Sequence, residues 1–223
     1  MTKRLYIMDL DGTLVNTLQD ITQAVNRVLE KMGLTPLSPS TIHNYIGQGA
    51  SWLLSMSLQA AGESNPERLQ EARSHFLPTY REGLADHSRP FPGVVEGLEK
   101  LKSMDCYLTV CTNKPIALAE DLMTQLNLRS YFTTMLGGDS LPTKKPEPEP
   151  LLHIMKKYQV APENTMMVGD RIYDIQAGHR ANAWTCGVVY REEDRPPLVE
   201  EKAHSIITNL TELSETFDSL QSN

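Results

Sequence analysis

The chain has 223 residues, 40% hydrophobic and 22% charged, with a formal net charge of −7, enough for one sizeable domain or a domain with a small second one. The negative balance argues against a broad nucleic-acid surface, which needs Lys and Arg to displace counterions. No stretch approaches the ~20 continuous apolar residues of a membrane span, and Met1-Thr2-Lys3-Arg4-Leu5 lacks the apolar region and cleavage site of a signal peptide, so the expected location is cytoplasmic.

The first element is a short apolar run, Leu5 to Met8, which ends at Asp9-Leu10-Asp11-Gly12-Thr13. Residues i and i+2 of a strand point the same way, so Asp9 and Asp11 can converge just beyond the sheet. Two carboxylates so close repel unless a cation or a proton is shared. That pattern suits magnesium, a hard ion that takes oxygen ligands and phosphate oxygens. Taken alone, Asp-Gly is also a plain turn.

From Leu14 to about Met104 the interval is too long for one crossover helix, and no strand signal appears. Ile21, Val25, Val28, Leu29 and Met32 have helical spacing, with Gly33 as a stop. Trp52 to Ala61 and Pro66 to Leu84 are further helical segments. Residues 16–86 are therefore expected to form a small helical domain inserted into an α/β core made of 1–15 and 87–223. Arg89-Pro90-Phe91-Pro92-Gly93 is the expected return hinge. Gly47-Gln48-Gly49 is a candidate substrate loop, because glycines let backbone amides approach an anion; an ordinary helix-start turn is the other reading. Trp52, Leu53 and Leu54 are expected to pack inside the insert.

Beyond the hinge, apolar runs alternate with helical segments. Tyr107 to Cys111, Thr133 to Leu136, Thr165 to Val168, Cys186 to Tyr190 and, more weakly, Ser205 to Ile207 read as strands. Continuous apolar runs suit strands covered on both faces, hence a parallel sheet. Helices are expected from Pro92-Gly93 through Leu101, from Pro115 through Leu126, from Leu151 to Tyr158 and from Ile172 to Ala183. The fold class is α/β, a doubly wound parallel-sheet Rossmann-like core with an inserted small helical cap.

Three further polar groups follow these strands. Thr112-Asn113 closes the second and is, on its own, an ordinary turn. In Lys144-Lys145-Pro146-Glu147-Pro148 the prolines favour an extended path that can aim one lysine inward. In Gly169-Asp170-Arg171-Ile172-Tyr173-Asp174, Gly169 allows a tight exit and Asp170 reads as a metal ligand. Asp174 lies four residues on, on the same face of a starting helix, and reads as a cap or an ion-pair partner. Glu192-Glu193-Asp194-Arg195 reads as a solvated charge run. The six histidines show no ligand spacing, and Cys106, Cys111 and Cys186 read as reduced thiols. Gln221-Ser222-Asn223 is expected to fray.

The order DxDGT, TN, KKP, GDxxxD at four strand ends resembles the haloacid-dehalogenase superfamily, in its phosphatase branch, over essentially the whole chain. Asp9 to Val15, Tyr45 to Ala50, Gly137-Gly138-Asp139-Ser140 and Lys145 to Leu152 look most like bacterial phosphoglycolate phosphatases. The resemblance implies a magnesium-dependent phosphomonoester hydrolase that forms an aspartyl-phosphate from a small phosphorylated metabolite, phosphoglycolate-like. It implies Asp9 as nucleophile and Asp11 as acid and base. Magnesium would be held by Asp9, the backbone carbonyl of Asp11, and Asp170. Gly12, Thr112, Asn113 and Lys145 would bind the phosphoryl group, with Asp174 orienting Lys145 or a water on the metal. Alternatives are a pyrophosphatase or nucleotidase of the same superfamily, a phosphosugar mutase, or a non-catalytic binding protein; the assembly is a monomer or homodimer. Asn16, Arg171 and Asn182 stand where such relatives usually carry Asp, Ser and Gly.

Overall fold

In the computed structural model, which describes residues 3–221, the chain enters through β1 (Leu5–Met8). A two-residue strand, β2 (Val15–Asn16), leads into α1 (Leu18–Lys31), α2 (Pro39–His43), α3 (Ala50–Ala60) and α4 (Arg68–Glu82). β3 (Arg89–Pro90) returns antiparallel to β2. The remaining elements are α5 (Val94–Lys102), β4 (Tyr107–Cys111), α6 (Ile116–Gln125), β5 (Thr134–Leu136), α7 (Glu149–Tyr158), β6 (Thr165–Gly169), α8 (Ile172–Arg180), β7 (Trp184–Val188), α9 (Arg195–Glu200), β8 (Ser205–Ile207) and α10 (Leu213–Gln221).

Six strands form one sheet in the order β5-β4-β1-β6-β7-β8, all neighbours parallel. β1 has no polar alternation because both of its faces are covered. Tyr6 and Met8 join the cluster containing Leu98, Leu101, Leu213 and Phe217 of α5 and α10. Leu5 and Ile7 join the one containing Leu151, Ile154 and Ala177 of α7 and α8. From β1 the chain builds outward to β4 and β5 on one side, then crosses to β6, β7 and β8 on the other. The C-terminal end of β1 is thus the switch point where such sheets open a crevice.

Helices α1 to α4 lie between β2 and β3. α1 buries Ile21, Val25, Val28 and Leu29 and packs on α4 and α2. It stops before Gly33, whose φ of +73° no β-carbon favours. Within this insert Leu54 is buried as expected, but Trp52 is 42% exposed. The β2–β3 ribbon carries no sequence signal, because two residues cannot display a period of two.

Two boundaries differ from expectation. β7 begins at Trp184 and ends at Val188, because Tyr190 leaves the sheet to stack on Phe91 with centroids 3.8 Å apart and donates its hydroxyl to Thr13 O. α8 ends at Arg180, with Asn182 in the left-handed region at φ +54°, a conformation open to Gly and tolerated by Asn. α2, α9 and α10 were not foreseen; the first two are too short for a periodic pattern. Gln221 closes α10 and donates to Glu163 O; Ser222, Asn223, Met1 and Thr2 lie outside the described residues. No described helix is long and apolar enough to cross a membrane.

Candidate active site

Asp9 continues the β1 ladder by one residue, its N–H donating to Val168 O at 2.9 Å, and its side chain is buried. The chain then reverses around Leu10 O, which accepts from the amides of Leu14 and Val15, both at 3.0 Å. Gly12 makes the turn at φ +92°, and a β-carbon there would lie 2.3 Å from Asp170 Oδ2. Only glycine lets the two strand ends approach this closely. Thr13 Oγ1 donates to Asp170 Oδ1 at 2.8 Å, which joins the end of β1 to the end of β6.

Asp174 takes both roles left open for it. Its Oδ2 accepts from Arg171 N at 3.0 Å, capping α8. Its Oδ1 accepts from Lys145 Nζ at 2.6 Å. Gly169 makes room for it, since a β-carbon there would lie 2.2 Å from the Asp174 carboxyl. Lys145 is 2% exposed, and its Nζ also stands 2.9 Å from Asp9 Oδ1. One lysine, Lys145, is aimed inward, but by a turn and not by the expected extended path: Glu147 N donates to Lys144 O at 2.9 Å. Its neighbour Lys144 turns instead to donate to Gln48 O at 2.7 Å.

Asp9, Asp170 and Asp174 each offer an oxygen within 4.8 Å of the others. Burial pushes Asp9 up to about 6 against the pull of Lys145. Burial likewise lifts Asp170 to about 7; Arg171 pulls it down, while Asp9 and Asp174 push it up. For Lys145, burial alone would lower the pKa, but Asp174 and Asp9 hold it above its usual value. The carboxylates are thus only partly neutralised. Asp9 Oδ1 is buried without a hydrogen bond of acceptable geometry, despite the nearby ammonium. An all-oxygen donor set with uncompensated negative charge fits a hard divalent cation such as magnesium.

The Asp11 side chain is not part of this cluster. It accepts from Lys114 Nζ at 3.0 and 3.3 Å and lines a cleft shared with Asp9, Thr112, Tyr80, Gly47 and Gly49. Asn113 lines it too, but its amide is committed to Gly47 O and Lys145 O, both at 2.8 Å. Its side chain therefore ties the insert loop and Lys145 to β4. Gln48 is not among the lining residues; its side chain donates to Tyr173 Oη at 2.7 Å.

A sequence profile of the haloacid dehalogenase-like hydrolases matches residues 6–188. The chain belongs to that family. It is 37% identical over 195 residues to a protein named phosphoglycolate phosphatase from Psychrobacter arcticus, covering 85% of each chain. It is 36% identical over 207 residues to one from Chromobacterium violaceum, covering 92% of this chain and 93% of that one. A crystal structure of a predicted phosphoglycolate phosphatase from Haemophilus somnus 129PT superposes with a TM-score of 0.90 at 31% identity, covering 96% of this chain and 98% of that one.

This haloacid dehalogenase-like hydrolase brings further polar groups to the site whose partners the sequence does not show. Lys114 follows Thr112-Asn113 directly, and that adjacency was the available signal. Its Nζ also donates to Tyr80 Oη of α4 at 2.6 Å. Arg171 Nε lies 3.2 Å from Asp170 Oδ2, and its terminal nitrogen donates to His43 O of α2 at 2.9 Å. His43 Nε2 in turn meets Asp194 Oδ1 at 3.2 Å. Asp194 also accepts from Arg191, so this member of the expected solvated run is engaged in a network.

Proposed function

We propose that this hydrolase is a magnesium-dependent phosphatase that acts on a small phosphorylated metabolite through an aspartyl-phosphate on Asp9. The observation that carries the reading is the buried Asp9 carboxylate, with Lys145 at 2.9 Å, beside Asp170 and Asp174 at the end of β1. Asp9 attacks phosphorus as its bond to the ester oxygen breaks. Asp11, two residues on and facing the same cleft, gives that oxygen a proton. It then takes one from the water that hydrolyses the aspartyl-phosphate, returning Asp9 and releasing phosphate. Lys145 and the Thr112 hydroxyl meet the charge of the transferring group. Asp174 fixes Lys145, and Asn113 holds the loop at Gly47 against the core. Asp9, Asp170 and the backbone carbonyl of Asp11 would hold magnesium, whose positive charge would offset repulsion between nucleophile and phosphate.

Residues 16–86 are read as a cap over a core of 1–15 and 87–223. Gly47 and Gly49 contribute to the cleft wall from the cap side, and closure shields the site from bulk water. The similar proteins named phosphoglycolate phosphatase support a substrate of that kind. Phosphate release from phosphoglycolate, pyrophosphate, nucleoside monophosphates and hexose phosphates, with magnesium and with chelator, is the test. Asp9→Asn is expected to lower kcat by roughly 10⁴-fold or more with an unchanged circular-dichroism spectrum. Turnover retained by that variant, or indifference to chelator, overturns the mechanism.

A further inference from the structure

Lys114 is the only cation among the described residues lining the cleft, and it comes from the loop after β4. It is 6% exposed. Burial opposes its charge, but Asp11 and Tyr80 keep its pKa above the usual lysine value. A buried ammonium is costly to maintain unless its donors are used. Asp11 and the Tyr80 hydroxyl take part of its capacity. Tyr80 Oη accepts from Lys114 and so keeps its own proton to give, and no described residue accepts it. The cleft wall beyond Asp11 therefore presents an ammonium and an O–H donor side by side. Around them the lining is apolar, with Ile21, Ile46, Leu53, Phe76 and Leu118.

Resting on the function proposed above, we infer that Lys114 and Tyr80 are the specificity pair of this cleft and receive a carboxylate carried on the carbon next to the ester oxygen. The preferred substrates are then phosphate esters of small 2-hydroxy acids. The placement follows from Asp11. If its carboxyl meets the ester oxygen, the nearest cation is Lys114, 3.0 Å from that carboxyl. A carboxylate one carbon beyond the ester oxygen reaches that ammonium without leaving Asp11. A longer or heavily hydroxylated substrate would have to bury its polar groups against the apolar wall, which penalises them.

Three probes test this: 2-phosphoglycolate, its neutral amide, and p-nitrophenyl phosphate. The amide keeps size and leaving group but removes the charge. The wild-type protein is expected to favour phosphoglycolate over the amide in kcat/KM by roughly 10- to 100-fold, the worth of a charge-assisted bond. Lys114→Met should bring that ratio to about one, chiefly through KM for phosphoglycolate. Tyr80→Phe, which leaves the Lys114–Asp11 pair in place, should lower it by roughly 3- to 10-fold. Equal rates for acid and amide in the wild type, or variants that slow both by the same factor, overturn the inference and leave Lys114 as a positioning residue for Asp11. A folded wild-type protein that cleaves none of the three with magnesium overturns the phosphatase reading and this inference with it. Cleavage of p-nitrophenyl phosphate without a carboxylate preference overturns this inference alone.

Discussion

Arg171 sets a guanidinium 3.2 Å from a carboxylate whose other neighbours form an acidic cluster. A fixed cation there competes with a divalent ion for the same negative charge. Near-surface Coulomb terms at this range reach several kcal/mol. Arg171→Ser, which removes the guanidinium, is expected to tighten magnesium or manganese binding by roughly tenfold, about 1.4 kcal/mol. Isothermal titration calorimetry reads this directly; weaker binding in the variant would make Arg171 a support for Asp170 rather than a competitor. The contrast with Asp9, Asp11 and Asp170 shows what one sequence reveals about single residues. Those three announce themselves through local pattern, two acids two apart at a strand end and one after a glycine exit. The partners of Lys114 and Arg171 lie 103 and 128 positions away. These distant contacts exist only once the chain has folded, so no local window contains them, whereas the pairing of Arg171 with its neighbour Asp170 lies within one.

Among the elements, the link between α1 and the segment before β3 rests on a carboxylate, Asp20. Asp20, in the first turn of α1, has the position of a helix-dipole residue. It is 2% exposed and accepts from His87 N at 3.0 Å, Ser88 N at 2.7 Å and Ser88 Oγ at 2.6 Å. It thereby ties the outgoing helix to the return segment just before β3. Asp20→Ala leaves buried donors without an acceptor, a loss of about 1–3 kcal/mol. Guanidinium denaturation should show it as a lower midpoint, and an unchanged midpoint would mean that water replaces the carboxylate without penalty. The buried strands were legible because a sheet covered on both faces demands continuous apolar runs, which β1, β4 and β6 supply. The β2–β3 ribbon and α2 were not, because their cohesion comes from partners across the fold. Tyr190, which reads as the end of an apolar strand, is drawn away by the ring of Phe91.

At the scale of the whole molecule, the site and the stability of the fold are linked through protons. The ordinary carboxylate value is ~3.9, and the metal-free fold raises Asp9 to about 6 and Asp170 to about 7, in each case mainly by burial. Between about pH 4 and pH 7 the folded chain holds protons that the unfolded chain has released. Stability from these groups therefore falls as pH rises through that window, and the full penalty is present above it. His43 acts in the opposite sense: burial lowers it to about 4, with Arg171 adding to the effect. Its contribution is intact above about pH 6.5 and is lost as pH falls toward 4. A divalent ion held by Asp9 and Asp170 would relieve only the first effect. It would bind the ionised carboxylates, and so would meet little proton competition at pH 8 and strong competition at pH 5. A saturating magnesium concentration, about 100 times Kd at pH 8, is expected to raise Tm there by roughly 5–10 °C and by far less at pH 5. His43→Gln should alter the acid limb of the stability curve while leaving the magnesium-dependent gain at pH 8 in place, because it touches Arg171 and Asp194 but no member of the acidic cluster. Scanning calorimetry at the two pH values with and without magnesium decides it. An equal gain at both would mean that the cation is not exchanging with protons on these carboxylates, and the acidic cluster would lose its assignment as the metal site.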